Sequence, residues 1–164
     1  MAAYCFYNLF FGWVNLVEGP ELPATSLAAH CYDSMFENCS ALIKAPELPS
    51  TVLAEYCYAG RFYDCTSLKV MPSLPATILA NSCYFSMFNG CTALKEINEL
   101  PATVLADSCY TYMFKDCSSL VNAMDNLPAT ALTFDCYRQM FYGCSALKSA
   151  PAIAATTLTA GLNV

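Results

Sequence analysis

The sequence predicts a curved α/β solenoid: about six stacked units, each pairing one short parallel strand on the concave side with one helix outside. Three observations predict it. Cys5, Cys31, Cys57, Cys83 and Cys109 recur every 26 residues, and Cys136 follows after 27. Leu22-Pro23, Leu48-Pro49, Leu74-Pro75, Leu100-Pro101 and Leu127-Pro128 keep the same beat. Within each unit, an apolar run at helical spacing precedes a short Cys-Ser/Thr-x-Leu run.

The helix comes first in each unit. Between residues 75 and 91 the apolar set is Leu79, Ala80, Cys83, Tyr84, Met87, Phe88 and Cys91. Those positions follow the i, i+3, i+4, i+7, i+8 rhythm of a helix with one wet face. Pro75 suits a first turn, where no N–H is needed. Thr77 suits the N-cap or first turn. Asn89-Gly90 suits the stop, because both residues tolerate a left-handed backbone. Asn38, Asp64, Asp116 and Gly143 hold the Gly90 position in other units.

The strand comes next. A second cysteine series, Cys39, Cys65, Cys91, Cys117 and Cys144, trails the first by eight residues, and Trp13 fills its opening slot. Leu42, Leu68, Leu94, Leu120 and Leu147 lie three residues further on. The run is too short for a helix and fits a brief strand, which a proline often ends. Neither element buries its apolar face alone, so units must stack. Strands about 4.8 Å apart and helices about 8–10 Å apart imply a bend of roughly 20–25° per unit. Residues 1–164 read as one domain with partial repeats at 1–23 and 155–164. One extra residue near 123–126 falls in a loop.

Composition narrows the function classes. The chain is 57% hydrophobic and 12% charged, which excludes a disordered polymer. A net charge of −6 gives no grip on phosphates, so no nucleic-acid partner is expected. The first 17 residues are uncharged, but no Lys or Arg precedes them and Asn8, Gly12 and Asn15 interrupt them. Neither a signal peptide nor a membrane span is expected there.

The runs Met87-Phe88-Asn89-Gly90-Cys91-Thr92-Ala93-Leu94 and Met140-Phe141-Tyr142-Gly143-Cys144-Ser145-Ala146-Leu147 carry a resemblance. With the Leu-Pro before each helix, the chain resembles the BspA-like leucine-rich repeats of bacterial and parasite surface proteins. Arg61 stands where that pattern has Met, and Trp13 where it has Cys. The resemblance implies a cell-surface or secreted, non-enzymatic module for adhesion, with a protein or glycan ligand.

The cysteines read as a ladder of buried thiols, with bonds between adjacent units left open and Cys5 as the most reactive. One histidine and wide cysteine spacing leave no zinc site, and no metal or other cofactor is expected. His30 reads as an outward polar residue whose neighbour Cys31 points inward, so no nucleophile pair forms and no catalytic residue is expected. Arg61 reads either as a snorkelling side chain or as half of an internal pair, the former favoured.

The candidate concave binding face is Glu18, Lys44, Lys69, Lys95, Glu96, Asn122 and Lys148, with a merely solvated face as the alternative. Tyr56, Tyr63, Phe85, Tyr112, Phe134 and Tyr142 read as exposed aromatics on the outside. Met1 falls in the slot of Leu27 and Val164 in that of Arg138, so both ends read as uncapped, either because the chain is a fragment of a longer array or because its ends meet partners. Phe6, Phe10, Phe11, Trp13, Leu158 and Leu162 are the candidate end-to-end contacts, and self-assembly through them, as a homo-oligomer or filament, is the second functional reading.

Overall fold

A computed structural model describes residues 2–157. Among these residues there is no helix, and the regular strands are β1 (Asn126–Leu127) and β2 (Ala152–Ile153), paired in parallel. The expected strand–helix solenoid of the leucine-rich-repeat kind is therefore overturned. The 26-residue period survives, but as a stack of six thin rungs rather than six strand–helix units.

The segment expected to be helical shows why. Over residues 28–39, backbone N–H groups alternate between two kinds of partner. Cys31, Met35, Glu37 and Cys39 donate three residues back, to Ala28, Tyr32, Ser34 and Phe36. His30, Tyr32, Ser34, Phe36 and Asn38 donate to the next rung, at Glu55, Cys57, Ala59, Arg61 and Tyr63. His30, Ser34 and Asn38 have positive φ, one every fourth residue. The arm is thus a run of tight turns with a period of four. An α-helix would keep every N–H inside its own segment.

Crossing hydrogen bonds pull the rungs together. Phe6, Tyr32, Tyr58, Tyr84, Tyr110 and Tyr137 form one column of parallel rings, with neighbouring centroids 5.4–6.0 Å apart. Phe10, Phe36, Phe62, Phe88, Phe114 and Phe141 form a second, at 5.4–5.7 Å. Helices packed about 8–10 Å apart could not bring equivalent rings this close. Left-handed backbone costs a residue with a Cβ about 1–2 kcal/mol. The crossing bonds and the ring burial offset that strain.

Cys31, Met35 and Cys39 and their equivalents in the later rungs are buried in the same core as the rings, with Arg61 standing in the methionine column. Each second-series thiol donates to a phenylalanine carbonyl one rung back: Cys65 to Phe36, Cys91 to Phe62 and Cys117 to Phe88, each at 3.1 Å. That contact needs a small side chain with a weak donor, which cysteine supplies and alanine lacks.

The opposite side of each rung is more extended. Glu18, Lys44 and Val70 are joined by successive parallel bridges, as are Glu96 and Asn122. Donation there runs the other way, from Lys69 to Ile43 and from Val121 to Lys95. With no helical layer, the spacing mismatch expected to bend the array is absent.

Gly90 marks the tightest point of an arm. Its φ is +74°, and a Cβ there would overlap the Asp64 carboxylate of the previous rung. Gly143 meets Asp116 in the same way. Gly90→Ala is therefore expected to cost about 2–4 kcal/mol through backbone strain plus displacement of Asp64. Chemical denaturation of the variant against the parent chain checks this.

Candidate binding surfaces

The expected concave columns are exposed, and the backbone places them side by side. Glu18 and Lys44 are bridge partners, as are Glu96 and Asn122, while Lys69, Lys95 and Lys148 occupy the adjoining column. None of these side chains joins an ion pair among the described residues. Glu18, Glu21, Lys44 and Glu47 line a shallow groove of about 410 Å³ floored by Leu22 and flanked by Pro23, Pro46 and Pro49. Charges of both signs are interleaved there without a converging set of acid, base and nucleophile.

A second surface lies outside the columns expected from the sequence. The segment after each Leu-Pro places one threonine per rung at the surface: Thr25, Thr51, Thr77, Thr103, Thr130 and Thr156, all exposed. The next column is Ser26, Val52, Ile78, Val104, Ala131 and Thr157, also exposed. Val52, Ile78 and Val104 are 59%, 63% and 51% exposed. Parallel bridges join Ser26 to Val52, Ile78 to Val104 and Ala131 to Thr157, so the columns run along the stack. No charged residue lies at positions 23–28, 49–54, 75–80, 101–106, 128–133 or 154–157. The signal was the recurring Pro-Ala/Ser-Thr-x-Leu, which a helix-entry reading absorbed.

The end contacts are partly placed. Phe6, Phe11 and Trp13 are exposed in the first rung, and Phe10 is half-buried under Trp13. Leu158 and Leu162 lie outside the described residues.

His30 is not a free polar residue. Its ring is half-buried between those of Tyr4 and Tyr56, at 4.6 and 4.8 Å, and Nδ1 lies 2.8 Å from Asp33 Oδ2. This is a structural stack, with Cys31 buried on the other side. Of the expected outer aromatics, Phe134 and Tyr142 are exposed, whereas Tyr56, Tyr63, Phe85 and Tyr112 are half-buried.

Arg61 fits neither expectation. It is fully buried, so it does not snorkel, and no carboxylate pairs with it. Its guanidinium carbon lies 4.6 Å from the Tyr32 ring centroid, 5.2 Å from Tyr58, 5.3 Å from Phe36 and 5.5 Å from Phe62. Nη2 reaches Met35 Sδ at 3.7 Å, while Nε and Nη1 have no partner. Burial lowers its pKa to about 10, the main cause being loss of water around the cation.

All eleven cysteines are free thiols, and only Cys5 is exposed. Burial pushes the Cys57 and Cys109 thiols up to about 12, and raises Cys83 and Cys91 well above the usual range. Protonated thiols at this depth are poor nucleophiles and poor metal ligands. Among the described residues no cluster of His, Cys, Asp and Glu could hold a metal, and no helix is long and apolar enough to cross a membrane. No family model, curated protein or solved structure matches this chain. The strand–helix architecture that the leucine-rich-repeat resemblance implied is absent, and the adhesive surface role drawn from it has no support.

Proposed function

We propose that the chain is a non-enzymatic binding module whose working face is the uncharged threonine strip, and that its ligand is a neutral, hydroxyl-rich polymer such as a glycan chain. One observation carries this reading: every rung exposes a threonine beside a second small or β-branched residue, with no charge in the same segment. Val52, Ile78 and Val104 recur at the same place in three successive rungs, and apolar side chains that line up at a surface favour contact with a ligand. Threonine offers a hydroxyl and a methyl together, which suits sugar hydroxyls and C–H faces. A face that repeats along the stack suits a ligand that repeats along its own axis.

Pull-down on insoluble neutral polysaccharides at low and high salt tests this. Retention is expected to be unaffected by salt, because no charge pair contributes. The triple variant Val52→Ser, Ile78→Ser, Val104→Ser should lose retention by about tenfold or more, the effect of roughly 1.4 kcal/mol. Exposed positions tolerate such changes without loss of the fold. No retention on any of these polymers, wild-type retention by the triple variant, or salt-sensitive retention that follows Lys44, Lys69 and Lys95 would each overturn the proposal.

A further inference from the structure

The threonine strip is a stiff row with two unlike edges. In the inner rungs two consecutive exposed residues stand between two buried ones. Thr77 and Ile78 lie between Ala76 and Leu79, and Thr103 and Val104 between Ala102 and Leu105. Thr130 and Ala131 lie in the same way between Ala129 and Leu132. The buried pair anchors each segment, so the exposed pair meets solvent at the same place in each rung.

Inter-rung bonds tie the strip together. The Leu79 N–H donates to the Val104 carbonyl at 3.0 Å, and the N–H groups of Thr103 and Val104 donate to that of Thr77 at 3.0 and 3.2 Å. The buried Ser50 adds a side-chain tie, its hydroxyl lying 2.9 Å from the Thr25 carbonyl and 2.8 Å from that of Val52. One threonine therefore recurs in each rung at the parallel-sheet spacing of about 4.8 Å. Beside it runs the apolar column of Val52, Ile78 and Val104.

We infer that the ligand is an extended, β-linked polysaccharide of the cellulose type, lying along the stack with one sugar to each rung. This rests on the neutral-polymer reading above and narrows it. An extended polymer of that linkage advances by the length of a sugar ring at each step, which keeps pace with the rungs. Its edge hydroxyls fall along the threonine column and its C–H faces along the apolar column. Both partners are straight and stiff before contact, so little order is lost on binding. An α-linked polymer of the amylose type coils, and its successive sugars leave the row. A polymer lying across the strip would meet a single rung's pair.

Retention on microcrystalline cellulose and on granular starch, with calorimetry on soluble cello-oligosaccharides of two to six sugars, tests the inference on the whole protein. Retention on cellulose and none on starch is expected. Affinity should climb with each added sugar, the longest oligomer binding at least about tenfold tighter than the shortest, because each sugar engages a further rung. Ile78→Ser, at a site 63% exposed, interrupts the row. It should weaken the six-sugar oligomer by a larger factor than the two-sugar one, which can settle on other rungs. Thr103→Val keeps the shape, removes one hydroxyl and should act likewise, which guards against a folding effect of the first variant. Equal retention on starch, no retention on cellulose where another neutral polysaccharide is retained, affinity that stops rising at two sugars, or equal factors for short and long oligomers in both variants would overturn the inference and leave the neutral-polymer reading standing. Failure on every neutral polysaccharide would remove both.

Discussion

Raising the pH of the reduced protein through about 9 to 11 is expected to unfold it abruptly. Burial raises the pKa of ten thiols, Cys31, Cys39, Cys57, Cys65, Cys83, Cys91, Cys109, Cys117, Cys136 and Cys144, above the ordinary value of 9.0. Tyr58, Tyr84, Tyr110 and Tyr137 are raised above 10.0 for the same reason. An acid whose pKa is higher when folded holds its proton in the folded state after the unfolded chain has released it. Stability is therefore full below the unfolded value and falls as pH rises through the window between the two. Each such group contributes a slope of about 1.4 kcal/mol per pH unit. Six deeply buried thiols alone give a slope on the order of 8 kcal/mol per unit, against a typical total of about 5–15 kcal/mol.

Circular dichroism and Trp13 fluorescence against pH, with reductant present, should show a steep transition that reverses on return to neutral pH. A chain still folded at about pH 12 would show that the thiols are not held away from water as described. Arg61 acts in the opposite sense. Its pKa is lowered to about 10 on folding, so it is a base that the unfolded chain protonates more readily. It is one group against ten thiols, so the thiols set the sign of the pH dependence.

Arg61→Met should stabilise the chain by about 1–4 kcal/mol, the range seen when buried charges give way to apolar side chains of similar size. Met35, Met87, Met113 and Met140 occupy the same column in other rungs and are buried. Arg61 brings a cation there with two unsatisfied nitrogens and no counter-ion, compensated only by four ring faces and a thioether. Ring contacts recover about 2 kcal/mol or more when desolvated, less than the several kcal/mol lost with the hydration of the cation. In a chain of this length the change corresponds to a rise in Tm of roughly 2–4 °C for each kcal/mol. Thermal and chemical denaturation check it. A lower Tm for Arg61→Met would mean that the cation is paired more strongly than the rings allow.

The period, the core columns and the single inserted residue were legible in the sequence. Cys31, Tyr32, Met35 and Phe36 are buried, as the apolar spacing requires. The apolar spacing does not distinguish a helix from this arm, because a four-residue period with two adjacent buried positions produces the same series, i, i+3, i+4, i+7, i+8. Gly90, but not Asn89, has the left-handed backbone expected of that pair, and it is one of three positive-φ positions in its arm rather than the end of a helix. Nothing in side-chain chemistry announced positive φ at Tyr56 or Tyr112, which tertiary hydrogen bonding imposes.

One signal could have separated the two folds. An aromatic ring recurs at the same two columns in all six rungs, and parallel rings pay off only at a rung spacing far below that of packed helices. Arg61 departs from both expectations for a related reason. Snorkelling needs water within reach of the side chain, and thin rungs close over it on both sides.

The repeating apolar arm is a run of turns hydrogen-bonded across closely spaced rungs, with no helix among the described residues. Backbone chemical shifts for residues 28–39 and their equivalents test it most directly. The fold described here predicts left-handed shifts at His30, Ser34 and Asn38, and amide protection at Tyr32 and Phe36 that fails when the following rung is disrupted by Gly60→Pro. Uniform right-handed helical shifts through residues 28–39, with the matching helical circular dichroism, would contradict it.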